Sequence, residues 1–326
     1  MLLNDKERLK YSIGGLLYAP GMSRKVPQKI KDGAFPALTS LAFCLEDTIQ
    51  DDCLEEAELT LKEVLGQLSE IDENARPLVF VRIRTPEHMK HIISLYKDYE
   101  DVITGYLLPK FDLSNMEEYV SLISKVNSGK GQDQKITYIM PILETKMIAD
   151  VATRVGTLTK IKETLDTIKE YVLNIRVGGN DFCNLYGVRR IASQTIYDIG
   201  VIRDIFVDII NIFASDYVVS GPVWEYFGAV QDGIWDKGLE RELELDRLNG
   251  FIGKTAIHPT QLPIIYESLK VRRSDYEDAV KILGWDKGPL GVAKSEGGNR
   301  MNEVKVHAKW ARKISILADI YGVKEE

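Results

Sequence analysis

LVFVRIRTPEHMKHIISLYKDY, residues 78–99, holds one complete unit of the fold. Its first seven residues are β-branched or apolar apart from two arginines. After Thr85 the pattern changes to mixed polar and apolar residues at helical spacing. An apolar strand followed at once by an amphipathic helix is the repeating unit of a parallel sheet. The unit recurs in both directions: strands are expected at 13–19, 41–45, 105–109, 136–142, 173–177, 217–220 and 251–257, with helices such as 51–67, 114–126 and 195–214. With 78–84 this makes eight strands, the number that closes a (β/α)8 TIM barrel of about 250 residues. An open doubly wound sheet shows the same alternation but carries a glycine-rich phosphate turn after its first strand. Here that turn reads Pro20-Gly21-Met22-Ser23, so the barrel is preferred.

The expected division is a barrel over 1–270 and extra C-terminal helices over 271–326 acting as a lid. Helices are expected at 260–269, 274–284 and 303–321, and the Gly/Lys-rich linker at 284–298 reads as mobile. Composition narrows the function classes. Hydrophobic residues make up 44% and charged residues 28% of 326, enough for a large core, and the net charge of −7 argues against nucleic acid or an anionic membrane held by bulk charge. Cys44, Cys53 and Cys183 form neither a disulfide framework nor a zinc motif, and no signal-like or membrane-length apolar run is present; a cytoplasmic protein is expected.

Barrel enzymes carry their chemistry at the C-terminal strand ends. In order, those ends offer Glu46-Asp47, Arg82 and Arg84, Lys110, Glu144, Asp181 after a Gly-Gly turn, and Lys254 with His258. Acidic and basic ends around one rim suit a metal and an anionic substrate. Arg82 and Arg84, two apart, are expected on the same strand face with Phe80. They can grip a carboxylate or neutralise Glu46 and Asp47, and an open rim favours substrate binding. Glu144 and Asp181 suit Mg²⁺, but spacing alone equally allows a helix start and a helix cap. Lys110 reads as solvated with substrate contact as the alternative, and His258 as a structural helix-start residue. His88, His91 and His307 read as surface residues. The stretch GFIGKT (250–255) lacks the spacing of a P-loop.

Several of these ends together resemble the citrate lyase beta-subunit-like lyases of the HpcH/HpaI aldolase superfamily. LLYAPG (16–21), LEDTI (45–49), VRIR (81–84), ILET (142–145), VGGNDF (177–182) and GFIGKTAIHPTQL (250–262) occur in that family's order and span nearly the whole chain. NRMNEVKVHAKWARKI (299–314) resembles a divergent branch found beside tellurite-resistance-type genes. The resemblance implies Mg²⁺ on Glu144 and Asp181, a substrate carboxylate on Arg82, and Glu46 and Asp47 as a supporting acidic pair. It also implies a trimer, or a multiple of one, whose C-terminal lid brings a carboxylate to a neighbour's site. Two departures stand out. Glu303 stands where the family carries aspartate, and Arg84 where it usually carries asparagine, which implies a more anionic or differently shaped substrate. No groove for coenzyme A is legible.

The function these residues imply is Mg²⁺-dependent making or breaking of a carbon–carbon bond beside a carboxylate of an oxo- or hydroxy-acid, free or as a thioester. Glu303 or another carboxylate would be the base. The rivals are a thioester hydrolase using the same site and a non-catalytic binding protein on a decayed barrel.

Overall fold

The computed structural model describes residues 6–131, 134–228, 233–285, 291–295, 297–298 and 300–325. They fall into two compact units, 1–265 and 266–326.

The first unit is the expected barrel. Its parallel strands are β1 (Gly15–Pro20), β2 (Ser40–Cys44), β3 (Leu78–Arg82), β4 (Ile103–Leu108), β5 (Tyr138–Leu143), β6 (Ile175–Val177), β7 (Val219–Ser220) and β8 (Lys254–Ala256). They pair in the order β7-β6-β5-β4-β3-β2-β1-β8. A bridge between Gly221 and Lys254 closes the ring, with Ile252 N–H donating to Val219 O at 2.8 Å and Gly221 N–H to Gly253 O at 3.0 Å. Such a sheet is buried on both faces, and every residue of β5 is buried accordingly. Leu16, Ala42, Phe80, Leu107, Met140 and Ile142 form the inner core at the two-residue period of the strands. Leu9 and Ile13 join this cluster from the helix Lys6–Ser12 and the turn after it, elements not expected from the sequence. Outside, the helix Leu54–Ser69 lays Ala57, Leu61, Val64, Leu65 and Leu68 against the sheet.

Two expectations need correction here. β3 ends at Arg82, so Arg84 lies beyond the strand and its inward parity does not apply. Lys254 is not on the rim. It faces outward, fully buried beneath the helix Ile234–Leu248, where it pairs with Glu242 at 2.9 Å and Asp246 at 2.7 Å. Of the two glycines in the 250–255 stretch, Gly253 serves the ring closure. Gly253 has φ +73°, and a side chain there would meet Gly14 O at 2.4 Å.

In the second unit the helices Arg273–Leu283 and Val304–Tyr321 pack together, and Val271–Arg272 pairs with Val323–Lys324. The linker is more structured than expected: Val292–Lys294 pairs antiparallel with Met301–Glu303. Residues 286–290, 296 and 299 of that stretch lie outside the described residues. Arg300 locks the hairpin to the helix through Asp275 at 2.9 Å and a shorter contact with Asp278. Among the described residues no helix is long and apolar enough to cross a membrane.

Gly253→Ala should destabilise the barrel by about 2 kcal/mol or more, combining left-handed backbone strain with a clash at the closing seam. Thermal or urea unfolding measures this, and an unchanged midpoint would contradict the closure geometry.

Candidate active site at the strand ends

Arg82, the last residue of β3, organises the rim. It is paired with Cys44 across the β2–β3 register and is buried. Its Nη2 donates to Glu46 Oε2 at 2.6 Å and Asp47 Oδ2 at 3.1 Å, and lies 3.5 Å from Glu144 Oε1. The guanidinium also stands over the Tyr18 ring, 5.8 Å from its centroid. Nε makes no hydrogen bond, and Nη1 has only the Cys44 sulfur at 3.9 Å. One corner of the cation is therefore saturated with carboxylates while two nitrogens keep donor capacity. Removing one partner of such a buried pair typically costs 3–5 kcal/mol, roughly, because the other charge is stranded.

Lys110 joins the same cluster. It follows β4 in a left-handed conformation, φ +49°, which costs roughly 1–2 kcal/mol for a residue with a Cβ. In this turn its backbone N–H donates to Glu144 Oε1 at 2.9 Å, while Nζ contacts Glu46 closely and Asp47 at 3.5 Å. The Asn115 amide holds the turn by donating to Lys110 O at 2.9 Å. The side chain is half-exposed but not merely solvated.

Glu144 follows β5 with its carboxylate against the β6 turn. A Cβ on Gly178 would sit 2.2 Å from Glu144 Oε2, so only glycine admits the carboxylate here. Burial raises the Glu144 pKa to about 8, against the pull of Arg82 and with the help of the Asp181 charge. Asp181 lies three residues past Gly178, in the first turn of the helix Gly179–Leu185. Its carboxylate makes no ion pair or hydrogen bond among the described residues. Burial also raises Glu46 against the opposing Arg82, whereas Asp47 is lowered: burial is outweighed by the hydrogen bond with Glu46 and by Arg82 and Lys110.

These residues fit a divalent cation. Glu46, Asp47, Glu144 and Asp181 bring four carboxylates to one rim, while Arg82 and Lys110 supply two cations. A divalent ion would balance the remainder once Glu144 gives up its proton. No set of three or more His, Cys, Asp or Glu residues converges as a closed cage among the described residues. Two carboxylates with water and substrate oxygens are what Mg²⁺ accepts.

Arg84 stands apart from this cluster. Its Nε donates to Leu45 O at 2.7 Å and Nη2 to Ile49 O at 2.6 Å, with Asp51 against Nη1, so it braces the loop that carries Glu46 and Asp47. His88 is not a surface residue: its side chain is largely buried, its Nε2 bonds Glu58 at 2.9 Å, and its Nδ1 accepts from Arg84 N–H at 3.0 Å. His258 caps the turn Pro259–Gln261, as expected of a structural residue. Glu303 lies in the second unit, where its N–H donates to His307 Nδ1 at 2.9 Å. Its carboxylate has no partner among the described residues. Tyr18 and Arg176 are interior residues of β1 and β6 to which no motif in the sequence assigns a part. An arginine inside an apolar strand was the available signal.

The raised Glu144 pKa fixes a sign. The folded protein holds that proton more tightly than the unfolded chain, so the stabilisation is complete below the ordinary value of 4.5 and is lost as pH rises through about 8. Metal-free wild type should therefore lose melting temperature between these limits more steeply than Glu144→Gln. Parallel profiles for the two proteins would refute the assignment.

Comparison with curated proteins finds no relative by sequence. Among solved structures, a citrate lyase from Burkholderia xenovorans superposes with TM-score 0.69 at 16% identity, covering 96% of this chain and 93% of that one. The CitE protein of Mycobacterium tuberculosis, in complex with magnesium, acetoacetate and coenzyme A, superposes with TM-score 0.61 at 17% identity, covering 95% and 99%. A complex of the citrate lyase beta subunit from the same organism with oxaloacetate and magnesium gives TM-score 0.52 at 17% identity, covering 80% and 98%. At these identities the likeness carries the fold. The family itself is given by a sequence model of the C–C bond lyases of the TIM-barrel fold, which matches residues 7–323. This chain belongs to the TIM-barrel family of carbon–carbon bond lyases.

Proposed function

We propose that this lyase makes or breaks a carbon–carbon bond next to a carboxylate in a small oxo- or hydroxy-acid, free or as an acyl thioester, and that Glu144 and Asp181 hold the Mg²⁺ it requires. The observation that carries the reading is Arg82, saturated by acidic partners at Nη2 but with Nε and Nη1 still able to donate. The magnesium complexes of the two M. tuberculosis proteins support the choice of metal.

Each residue then has a part. Arg82 binds the substrate carboxylate and meets the negative charge that develops on the departing enolate fragment, where a preorganised cation in a dry site is most effective. Glu46, Asp47 and Lys110 fix the Arg82 guanidinium, so its orientation does not have to be found during the reaction. Bound Mg²⁺ would supply Lewis-acid polarisation of the oxygen next to the carboxylate. A carboxylate base moves the hydroxyl proton, and Glu303 of a neighbouring chain in a trimer is the residue we assign. Its carboxylate is uncommitted among the described residues, and the resemblance noted above, which implies a lid carboxylate at this position, supports the choice. The expected setting is the cytoplasm.

Calorimetry with Mg²⁺ and small oxo-acids, followed by product analysis, tests the reading. Carbon–carbon cleavage products support it, while thioester hydrolysis alone would replace it. Glu144→Ala and Asp181→Ala should each abolish metal-dependent turnover in a folded protein, and Mg²⁺ affinity unchanged in both would remove the metal assignment. For the shared site, an inactive Glu144→Ala chain mixed with an inactive Glu303→Ala chain should regain activity as subunits exchange. Exchange without recovery would confine Glu303 to its own subunit or to no chemistry.

A further inference from the structure

The rim is braced from outside the barrel by a histidine that the proposed chemistry does not touch. His88 stands in the first turn of the helix Pro86–Leu95, whose N-cap is Thr85. The Thr85 hydroxyl accepts from His88 N–H at 3.1 Å, and the His88 ring turns back so that Nδ1 accepts from Arg84 N–H at 3.0 Å. Many helix starts satisfy their backbone reciprocally in this way, with a Glu or Gln in the first turn reaching back to the N-cap amide. Here the acceptor is an imidazole, and the amide it takes is that of the residue before the cap. That residue is Arg84, whose side chain holds Leu45 O and Ile49 O. Arg84 is thus gripped through its backbone at one end and grips the loop of Glu46 and Asp47 with the other.

The ring is itself held in one state. Glu58, buried on the helix Leu54–Ser69, places Oε1 2.9 Å from His88 Nε2 and Oε2 2.9 Å from His91 Nε2. The Tyr96 hydroxyl fixes that point of the helix by donating to Glu58 O at 3.0 Å. A neutral ring whose Nδ1 accepts must carry its proton on Nε2, and a carboxylate opposite Nε2 selects that tautomer. A charged ring would turn an N–H toward the Arg84 N–H, and the bond would be lost. The charged and titratable groups that face the ring are Glu58 from the preceding helix, His91 from its own helix and Arg84 from beyond the end of β3. Burial pulls the His88 pKa below its ordinary 6.5 against the carboxylate of Glu58, and Arg84 and His91 act in the same direction as burial. The neutral ring, and with it the bond to Arg84, is therefore present at neutral pH and above and is lost as pH falls through the lowered value.

We propose that His88, oriented by Glu58, is a positioning residue of the lyase: through the backbone of Arg84 it keeps the loop of Glu46 and Asp47 against Arg82, and it does so only while the ring is neutral. Arg82 keeps its orientation because those two acids hold Nη2 at 2.6 and 3.1 Å. A loop that drifts releases the guanidinium, and the free donors on Nε and Nη1 lose their aim. The inference rests on the function proposed above, which gives Arg82 the substrate carboxylate.

Two variants test it by titration calorimetry and crystallography. His88→Leu removes both ring nitrogens. In His88→Asn the side-chain oxygen falls where Nδ1 stands and can accept from Arg84 N–H, but it does not titrate. With Mg²⁺ present at about pH 7.5, His88→Leu should bind oxaloacetate about tenfold more weakly than wild type, and His88→Asn should come within about threefold of it. Between about pH 7.5 and about pH 5.5, wild type should lose affinity relative to His88→Asn, because only wild type takes up a proton at this position. Crystals of His88→Leu should show Glu46 and Asp47 withdrawn from Arg82, and those of His88→Asn should show them in place. A helix cap without a positioning role predicts lower melting temperatures in both variants, unchanged affinities, a constant ratio across pH and an undisturbed rim, and that result would overturn the proposal. If His88→Leu does not fold, the ratio of wild type to His88→Asn across pH decides: a falling ratio supports the proposal and a constant one overturns it. If wild type binds no oxaloacetate, the role given to Arg82 fails, and the crystals then judge the brace by itself: an unmoved rim in His88→Leu overturns it and a displaced loop supports it.

Discussion

A single buried guanidinium, that of Arg82, sets the terms for the rest of the rim. It cannot stand at the mouth of a barrel without acids, and β2 supplies Glu46 and Asp47 within 3.1 Å. Those acids in turn need further compensation, which Lys110 provides from a left-handed turn after β4. The loop carrying the acids is tied down by Arg84 through the backbone carbonyls of Leu45 and Ile49. Three consecutive strand ends are thereby locked to one another before any ligand arrives. This is the preorganisation that lets a cation stabilise developing charge without reorganising around it.

The other half of the rim is arranged oppositely. Glu144 lies against the β6 turn, with Arg82 at 3.5 Å and the Lys110 N–H at 2.9 Å. Its own burial and the Asp181 charge outweigh them and keep its proton on up to about pH 8. Gly178 is what makes the approach possible, because any Cβ there would occupy the space of the Glu144 carboxylate. The juxtaposition costs stability. A fold that retains it, beside a guanidinium with unused donors, supports the proposal that the rim takes a ligand.

Much of this was legible in the sequence, and the reasons are physical. The eight strands were visible because parallel strands are apolar on both faces, and the rim residues because each follows such a run. Strand boundaries were less visible, since the first or last residues of a run such as 251–257 are apolar without being paired. Arg84 was misplaced for that reason: strand parity was extended two residues past the end of β3. Lys254 was placed on the rim because its partners, Glu242 and Asp246, lie on a separate helix and cannot be anticipated from local pattern. His88 looked exposed because Glu58 is thirty residues earlier in the chain. Arg176 lay in plain view inside an apolar strand, but that it lacks an acidic partner becomes apparent only when the neighbouring strands are in place. The Gly/Lys-rich linker looked structureless because a two-stranded hairpin anchored by Arg300 has no hydrophobic period to read.

Once Glu144 gives up its proton, the four carboxylates of the rim exceed the charges of Arg82 and Lys110 by two, and a divalent ion on Glu144 and Asp181 is the proposed balance. Crystals soaked with Mn²⁺, a scattering substitute for Mg²⁺, together with oxaloacetate test it most directly. The account predicts one anomalous peak bound by Glu144 and Asp181, with a carboxylate of the ligand on Arg82. A peak at any other carboxylates, or none at the rim while the ligand is bound, would contradict it.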